Sequence, residues 1–189
     1  IEGAGNDLTL NFTQASVDGL ANINNFTSLG GVELNGTFTT TGFQNYAGPI
    51  ALLGDTSLNP TQLLIGGSVT GNDHNLTLSQ TSGAVSLSGS TISSVDQFVV
   101  TTDSTIGGSI TAASVDFQGN VTLTGNAAVV AAGAPGPVNF GGTVDGGFDL
   151  SANGSTVTFS GTVGGTTSLG TLTTVGSTAA YVTAPITTT

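Results

Sequence analysis

The feature that most constrains this chain is that it repeats itself in short phrases. Ala47-Gly48-Pro49-Ile50-Ala51-Leu52 is echoed by Gln118-Gly119-Asn120-Val121-Thr122-Leu123. Ile65-Gly66-Gly67-Ser68-Val69-Thr70-Gly71 is echoed by Phe140-Gly141-Gly142-Thr143-Val144-Asp145-Gly146. Asn75-Leu76-Thr77-Leu78 matches Asp149-Leu150-Ser151-Ala152, and Val85-Ser86-Leu87-Ser88-Gly89 matches Val157-Thr158-Phe159-Ser160-Gly161. The four matches keep their order at offsets of 71, 75, 74 and 72 residues. The unit is thus about 72 residues, covering approximately 44–100 and 116–172, and it contains several smaller strand–turn modules.

Within each phrase the pattern is that of strands. Apolar and polar residues alternate at Leu8-Thr9-Leu10, Val32-Glu33-Leu34, Leu76-Thr77-Leu78, Val121-Thr122-Leu123 and Val157-Thr158-Phe159, and most runs are bounded by Gly, Asn or Asp. No run keeps a 3.6-residue period over three turns. Repeated short strands suit a solenoid, a propeller or a string of sandwiches. Propellers carry regular aromatic and charged signatures, and sandwiches need longer strands and an even hairpin rhythm; neither is present. The expectation is therefore an all-β chain, a single β-solenoid over residues 1–189 built from short strands and Gly/Asn turns. Successive coils lie parallel, because each follows the last in the same sense. At roughly 18 to 24 residues per coil, about eight to ten coils result. Inward Val, Ile, Leu and Phe form ladders, outward Thr, Ser and Asn form the faces, and Gly and Asn take left-handed backbone at corners. Matched modules are expected to share ladder positions, Ile65 with Phe140 and Leu87 with Phe159. A core filled in this way leaves no cavity of the ~300 Å³ that small-ligand sites occupy.

Composition supports this and excludes several function classes. Gly, Thr, Ser and Asn make up just over half of the 189 residues, whereas Lys, Arg, Cys, Met and Trp are absent. Helix formers are scarce, so an α-rich fold is excluded. With 37% hydrophobic and only 6% charged residues, the chain does not have the composition of a disordered segment. Eleven acids against no Lys or Arg give a net charge of −11. Nucleic acid and anionic lipid surfaces both need cations, so neither is an expected partner. No apolar run approaches the ~18 residues of a spanning helix, so no membrane-spanning segment is expected. Thiol chemistry is absent. The chain opens on Ile1 without a recognisable signal peptide, which reads as a processed piece or internal segment.

Two stretches carry a family resemblance: Gln44-Asn45-Tyr46-Ala47-Gly48-Pro49-Ile50-Ala51-Leu52, and Val138-Asn139-Phe140-Gly141-Gly142-Thr143-Val144-Asp145-Gly146-Gly147-Phe148-Asp149-Leu150, continuing through Val157-Thr158-Phe159-Ser160-Gly161 to Leu172. These resemble filamentous-haemagglutinin-like bacterial exoproteins of the autotransporter and two-partner secretion type, over residues 43–178. The resemblance implies a right-handed parallel β-helix, an extracellular or cell-surface location, and a part in adhesion or biofilm as a stalk segment of a passenger. The amino-terminal secretion motif of such exoproteins is not in the chain.

Candidate chemistry is sparse. Asp73 and His74, with Asn72 and Asn75, form the one cluster with an imidazole, and it lacks the further ligands or the nucleophile that a metal or catalytic site needs. It reads as a polar turn. Asp145 and Asp149 could act as paired carboxylates, as glycosidases require, but two acids across a Gly-Gly turn read first as solvated loop residues. Asp7, Asp18, Asp55, Asp96, Asp103 and Asp116 are scattered, without calcium-loop spacing. Six Asn-x-Ser/Thr triplets, at Asn11, Asn25, Asn35, Asn75, Asn120 and Asn153, would be glycan acceptors in a eukaryotic or archaeal secreted protein. Thr-x-Thr pairs such as Thr122 with Thr124 raise ice binding, although β-propensity alone explains threonine in strands. The expectation is a non-enzymatic structural or adhesive module with no catalytic, cofactor or metal residues. Its partners would be carbohydrate or protein surfaces of a host or matrix, or copies of itself in a filament or sheath. A carbohydrate-active enzyme and an ice-binding solenoid are the lesser alternatives.

Overall fold

The computed structural model describes residues 1–133, 136–175 and 179–189. Its strands, in chain order, are β1 (Glu2–Leu10), β2 (Gln14–Ser28), β3 (Gly31–Thr40), β4 (Phe43–Tyr46), β5 (Ile50–Asn59) and β6 (Gln62–Ile65). There follow β7 (Val69–Leu78), β8 (Val85–Val100), β9 (Ser104–Phe117), β10 (Val121–Ala131) and β11 (Val138–Phe140). The last are β12 (Val144–Asp145), β13 (Leu150–Asn153), β14 (Thr156–Phe159), β15 (Leu172–Val175) and β16 (Ala179–Val182). Every strand pairing is parallel, and no helix occurs among the described residues. The result is a β-solenoid of about nine turns. Pairing persists through several corners, so β2, β8 and β9 each run over two or more straight segments.

Three inner ladders define three faces. On face 1, Ala15, Val32, Ile50, Val69, Ile92, Ile110, Val129 and Ala152 stack in register. On face 2, Leu20, Phe38, Leu58, Leu78, Val100, Phe117, Phe140, Phe159 and Val182 do the same. Face 3 stacks Leu8, Phe26, Gln44 and Leu63, then Val85, Ser104, Val121, Val144, Val163 and Ile186. Each coil advances the chain by between 17 residues, as from Gln14 to Gly31, and 23, as from Val115 to Val138. Nearly every inward side chain except those of the end coils is buried. Burial of such an aliphatic or aromatic group contributes about 1.5–3 kcal/mol. On face 2, Phe117, Phe140 and Phe159 also stack with nearly parallel ring planes, their centroids 5.5 and 4.9 Å apart.

The repeat and the coils are out of step. Ile65 lies on face 3, in line with Tyr46, whereas its sequence match Phe140 lies on face 2. Leu87 belongs to face 3, beside Ile106, and its match Phe159 to face 2. The expected shared ladder positions are therefore corrected: all four residues are buried, but on different faces. The reason is arithmetic. From Val69 the face 1 ladder advances through Ile92, Ile110 and Val129 to Ala152, four coils on. That step exceeds the 75-residue repeat offset by about one strand. The recurring phrase is one strand, one corner and the start of the next strand, and it moves back by one face between the two halves.

The corners record the same shift. In the first half the phrase turns from face 3 to face 1, and an added Cβ on Gly48 or Gly67 would strike the backbone of Gly30 or Gly48 respectively. In the second half it turns from face 2 to face 3, where a Cβ on Gly142 would lie 2.6 Å from the Gly119 carbonyl group, with Gly161 stacked in turn on Gly142. Coils meet backbone to backbone at these corners, and a side chain would separate them.

Candidate functional site

The Asp73–His74 cluster is a corner of β7 between faces 1 and 2. Asn72 and Asp73 have φ of 50° and 62°, the left-handed backbone that Asn and Asp tolerate best after Gly. Asn72 Nδ2 donates to the Leu52 carbonyl at 2.9 Å. Asn75 donates its backbone N–H and its side-chain amide to Asp55, at 2.9 and 3.1 Å, and accepts the Gln97 N–H at 3.0 Å. Asp55, Asn75 and Gln97 thus clasp three successive coils. These hydrogen bonds, with a smaller contribution from His74 at 4.0 Å, hold the Asp55 carboxyl below its ordinary pKa. His74 is partly exposed, with its Nδ1 4.0 Å from the Asp55 carboxylate. The polar-turn reading of this cluster is what the geometry displays.

The same clasp recurs elsewhere. Asp7 accepts from Asn25, whose Oδ1 accepts the Phe43 N–H. Asp103 accepts the Asn120 N–H, and Asn120 accepts the Thr143 N–H. Asn35 donates to Asp18, and Asn139 to Asp116. Four of the six sequon asparagines, Asn25, Asn35, Asn75 and Asn120, are engaged in this way. Asn11 is exposed, and Asn153 lies in β13. Asp145 accepts the Thr166 N–H at 2.8 Å, and the backbone N–H of Asp149 donates to Asn126 at 3.1 Å. Among the described residues no three His, Cys, Asp or Glu side chains converge.

The core contains a few polar groups. Gln44 donates to the Phe38 carbonyl and accepts from the Tyr46 hydroxyl, all within the buried interior. Burial pushes the Tyr46 hydroxyl far above its ordinary pKa, so it stays protonated.

The openings lie on the outer faces. Face 1 has an open groove of about 500 Å³ over Thr91, Ser109, Ala128, Ser151 and Thr173. Face 2 has a hollow of about 320 Å³ lined by Thr37, Ser57, Thr77, Asp55, Asn75 and Gln97. Face 3 has a cleft of about 190 Å³ lined by Phe43, Asn45, Gln62, Leu64, Ala84 and Ser86. Small side chains on neighbouring coils leave these open troughs on the outer surface. Along face 3 the outward column is Thr9, Thr27, Asn45, Leu64, Ser86, Thr105, Thr122 and Asp145. It is mostly hydroxyl and amide, but it is not an unbroken threonine array. Thr124 turns its hydroxyl to Ser88 and to the Ile106 carbonyl.

Comparison with protein-family models, curated proteins and solved structures returns no match. The likeness to secreted exoproteins rests on the phrases quoted above. Among the described residues no helix is long and apolar enough to cross a membrane.

Proposed function

We propose that this chain is a non-catalytic, adhesive rod segment of an extracellular or cell-surface protein. The observation that carries the reading is the outward column of face 3, in which Thr9, Thr27, Asn45, Ser86, Thr105 and Thr122 recur coil by coil. Parallel strands lie about 4.8 Å apart, so these uncharged donors and acceptors form two regular runs of three, on either side of Leu64. Each exposed hydrogen bond contributes about 1 kcal/mol at most, and useful affinity then comes from repetition. The acidic, cysteine-free and cation-free composition accords with a place outside the cell. The test compares the single 189-residue segment with a tandem array on a polysaccharide- or cell-coated surface. Weak retention of the segment and a steep gain for the array are expected. Tight one-to-one binding of a soluble small molecule by the lone segment would sink the adhesive reading.

A second reading, a filament built from copies, is favoured by the edges. Among the described residues, β1, β15 and β16 each have a hydrogen-bonded strand on one side only, and Val182 and Ile186 top their ladders partly exposed. Electron microscopy separates the two readings as isolated rods against continuous fibres.

A further inference from the structure

We propose that the face 3 cleft between β6 and β8 is a binding site for a single neutral hexopyranose unit of a polysaccharide. This deepens the adhesive reading and rests on it.

The cleft exists because the parallel pairing opens here. β6 and β8 are joined through one residue pair, Leu64 with Ser86. Side chains replace the missing ladder: buried Gln80 accepts the Leu63 N–H at 2.9 Å, and buried Ser90 donates to the Ile65 carbonyl at 3.0 Å. The Leu63 N–H and the Ile65 carbonyl thereby find partners on either side of the single Leu64–Ser86 pair, and the outer surface dips here. Phe43, 41% exposed, and Leu64, 49% exposed, bring apolar surface to this dip. The Asn45 and Gln62 carboxamides and the Ser86 hydroxyl line it as well. Unlike the corner asparagines, Asn45 and Gln62 take no part in the side-chain hydrogen bonds among the described residues.

This set matches one ligand class. A pyranose ring presents an apolar C–H face, which an exposed aromatic ring covers, and a rim of hydroxyls that carboxamides meet as both donor and acceptor. The cleft volume of about 190 Å³ is of the size of one such ring, and its open side lets the rest of a longer chain extend beyond it. No acid lines the cleft and the chain has no Lys or Arg, so the ligand is neutral and not an anionic sugar.

The test is saturation-transfer NMR on the full chain with cellohexaose, maltohexaose and a heparin-derived hexasaccharide. Transfer to a neutral oligosaccharide is expected, with none to the anionic one. Phe43→Ala should weaken it about tenfold, Gln62→Ala should also weaken it, and Phe43→Trp should retain it with an unchanged circular dichroism spectrum. Absence of transfer to both neutral sugars, equal transfer in Phe43→Ala, or preference for the heparin fragment would overturn the proposal. So would self-association that disappears in Phe43→Ala, which would make the cleft a contact between copies. Tandem arrays on a polysaccharide-coated surface separate the two claims. If wild-type and Phe43→Ala arrays adhere equally, the cleft fails and the adhesive reading stands. If neither adheres, the adhesive reading fails and the NMR result alone decides the cleft.

Discussion

Ser104 sits in the face 3 ladder between Val85 and Val121, and its hydroxyl has no hydrogen-bond partner. A buried hydroxyl without a partner carries a desolvation cost that an aliphatic group does not. Ser104→Ala is therefore expected to stabilise the fold by about 1 kcal/mol, read as a higher denaturant midpoint at unchanged slope. Asp55 gives a prediction of opposite kind. Its carboxylate is favoured in the folded chain by the Asn75 N–H and amide, so its folded pKa lies below the ordinary 3.8. The unfolded chain then takes up this proton first as pH falls. The contribution of Asp55 is complete above the ordinary value and is lost as pH drops through it towards the folded value. Melting wild type and Asp55→Ala side by side should show a stability gap at pH 7 that closes below about pH 4. A gap constant from pH 7 to pH 2.5 would contradict the clasp. The turn at Asn72 and Asp73 was legible because left-handed backbone favours those residue types wherever they stand. The clasps were not, because Asp55 meets Asn75 across a coil whose length varies from 17 to 23 residues, and nothing local to Asp55 states that length. Phe43 was hidden for a related reason: in Phe43-Gln44-Asn45-Tyr46 alternation allows either pair to face inward, and only register with Phe26 and Leu63 turns Gln44 and Tyr46 to the core.

At the scale of the element, the unit is a strand–corner–strand phrase that can occupy any of the three faces. Alternating strands and Gly corners made the parallel solenoid readable from sequence, since both are local. The assignment of phrases to faces was not readable, because it depends on the running sum of coil lengths. The segment 79–84 contributes one such length change, carrying the chain from Leu78 to Val85 before pairing resumes. The stacked glycine corners give a paired prediction. A Cβ at Gly142 would press on the Gly119 carbonyl group and the Asn120 nitrogen, all backbone that cannot swing aside, whereas a Cβ at Gly147 meets nothing within 4 Å. Gly142→Ala is expected to destabilise the adjoining coils by about 1–3 kcal/mol, the usual cost of overpacking. Gly147→Ala should fall within about ±0.5 kcal/mol of wild type. Chemical denaturation of the two variants checks this, and equal midpoints would refute backbone stacking as the reason for glycine at this corner.

Over the whole molecule the electrostatics have a single sign. Apart from the N-terminal amine and His74, there is no positive group, and long-range interactions among the eleven acids are repulsive. The acids are also unevenly placed, since residues 150–189 contain none. Folding draws like charges closer than they lie in the expanded chain, so repulsion acts against the folded rod. Salt screens that repulsion over a Debye length of about 8 Å at physiological ionic strength. It leaves the short clasps between Asp and Asn largely intact, because these are hydrogen bonds and not separated charge pairs. Raising sodium chloride from about 10 to about 150 mM, a range over which the screening length falls from about 30 to about 8 Å, is therefore expected to raise the melting temperature. A protein held by surface ion pairs would respond in the opposite sense. The same field forbids polyanions: DNA, RNA and heparin meet repulsion and find no cation to displace their counterions. A salt-sensitive, micromolar complex with any of the three in a filter-binding assay, or a melting temperature that falls over the salt range, would show that attractive charge contacts exist where the chain offers none.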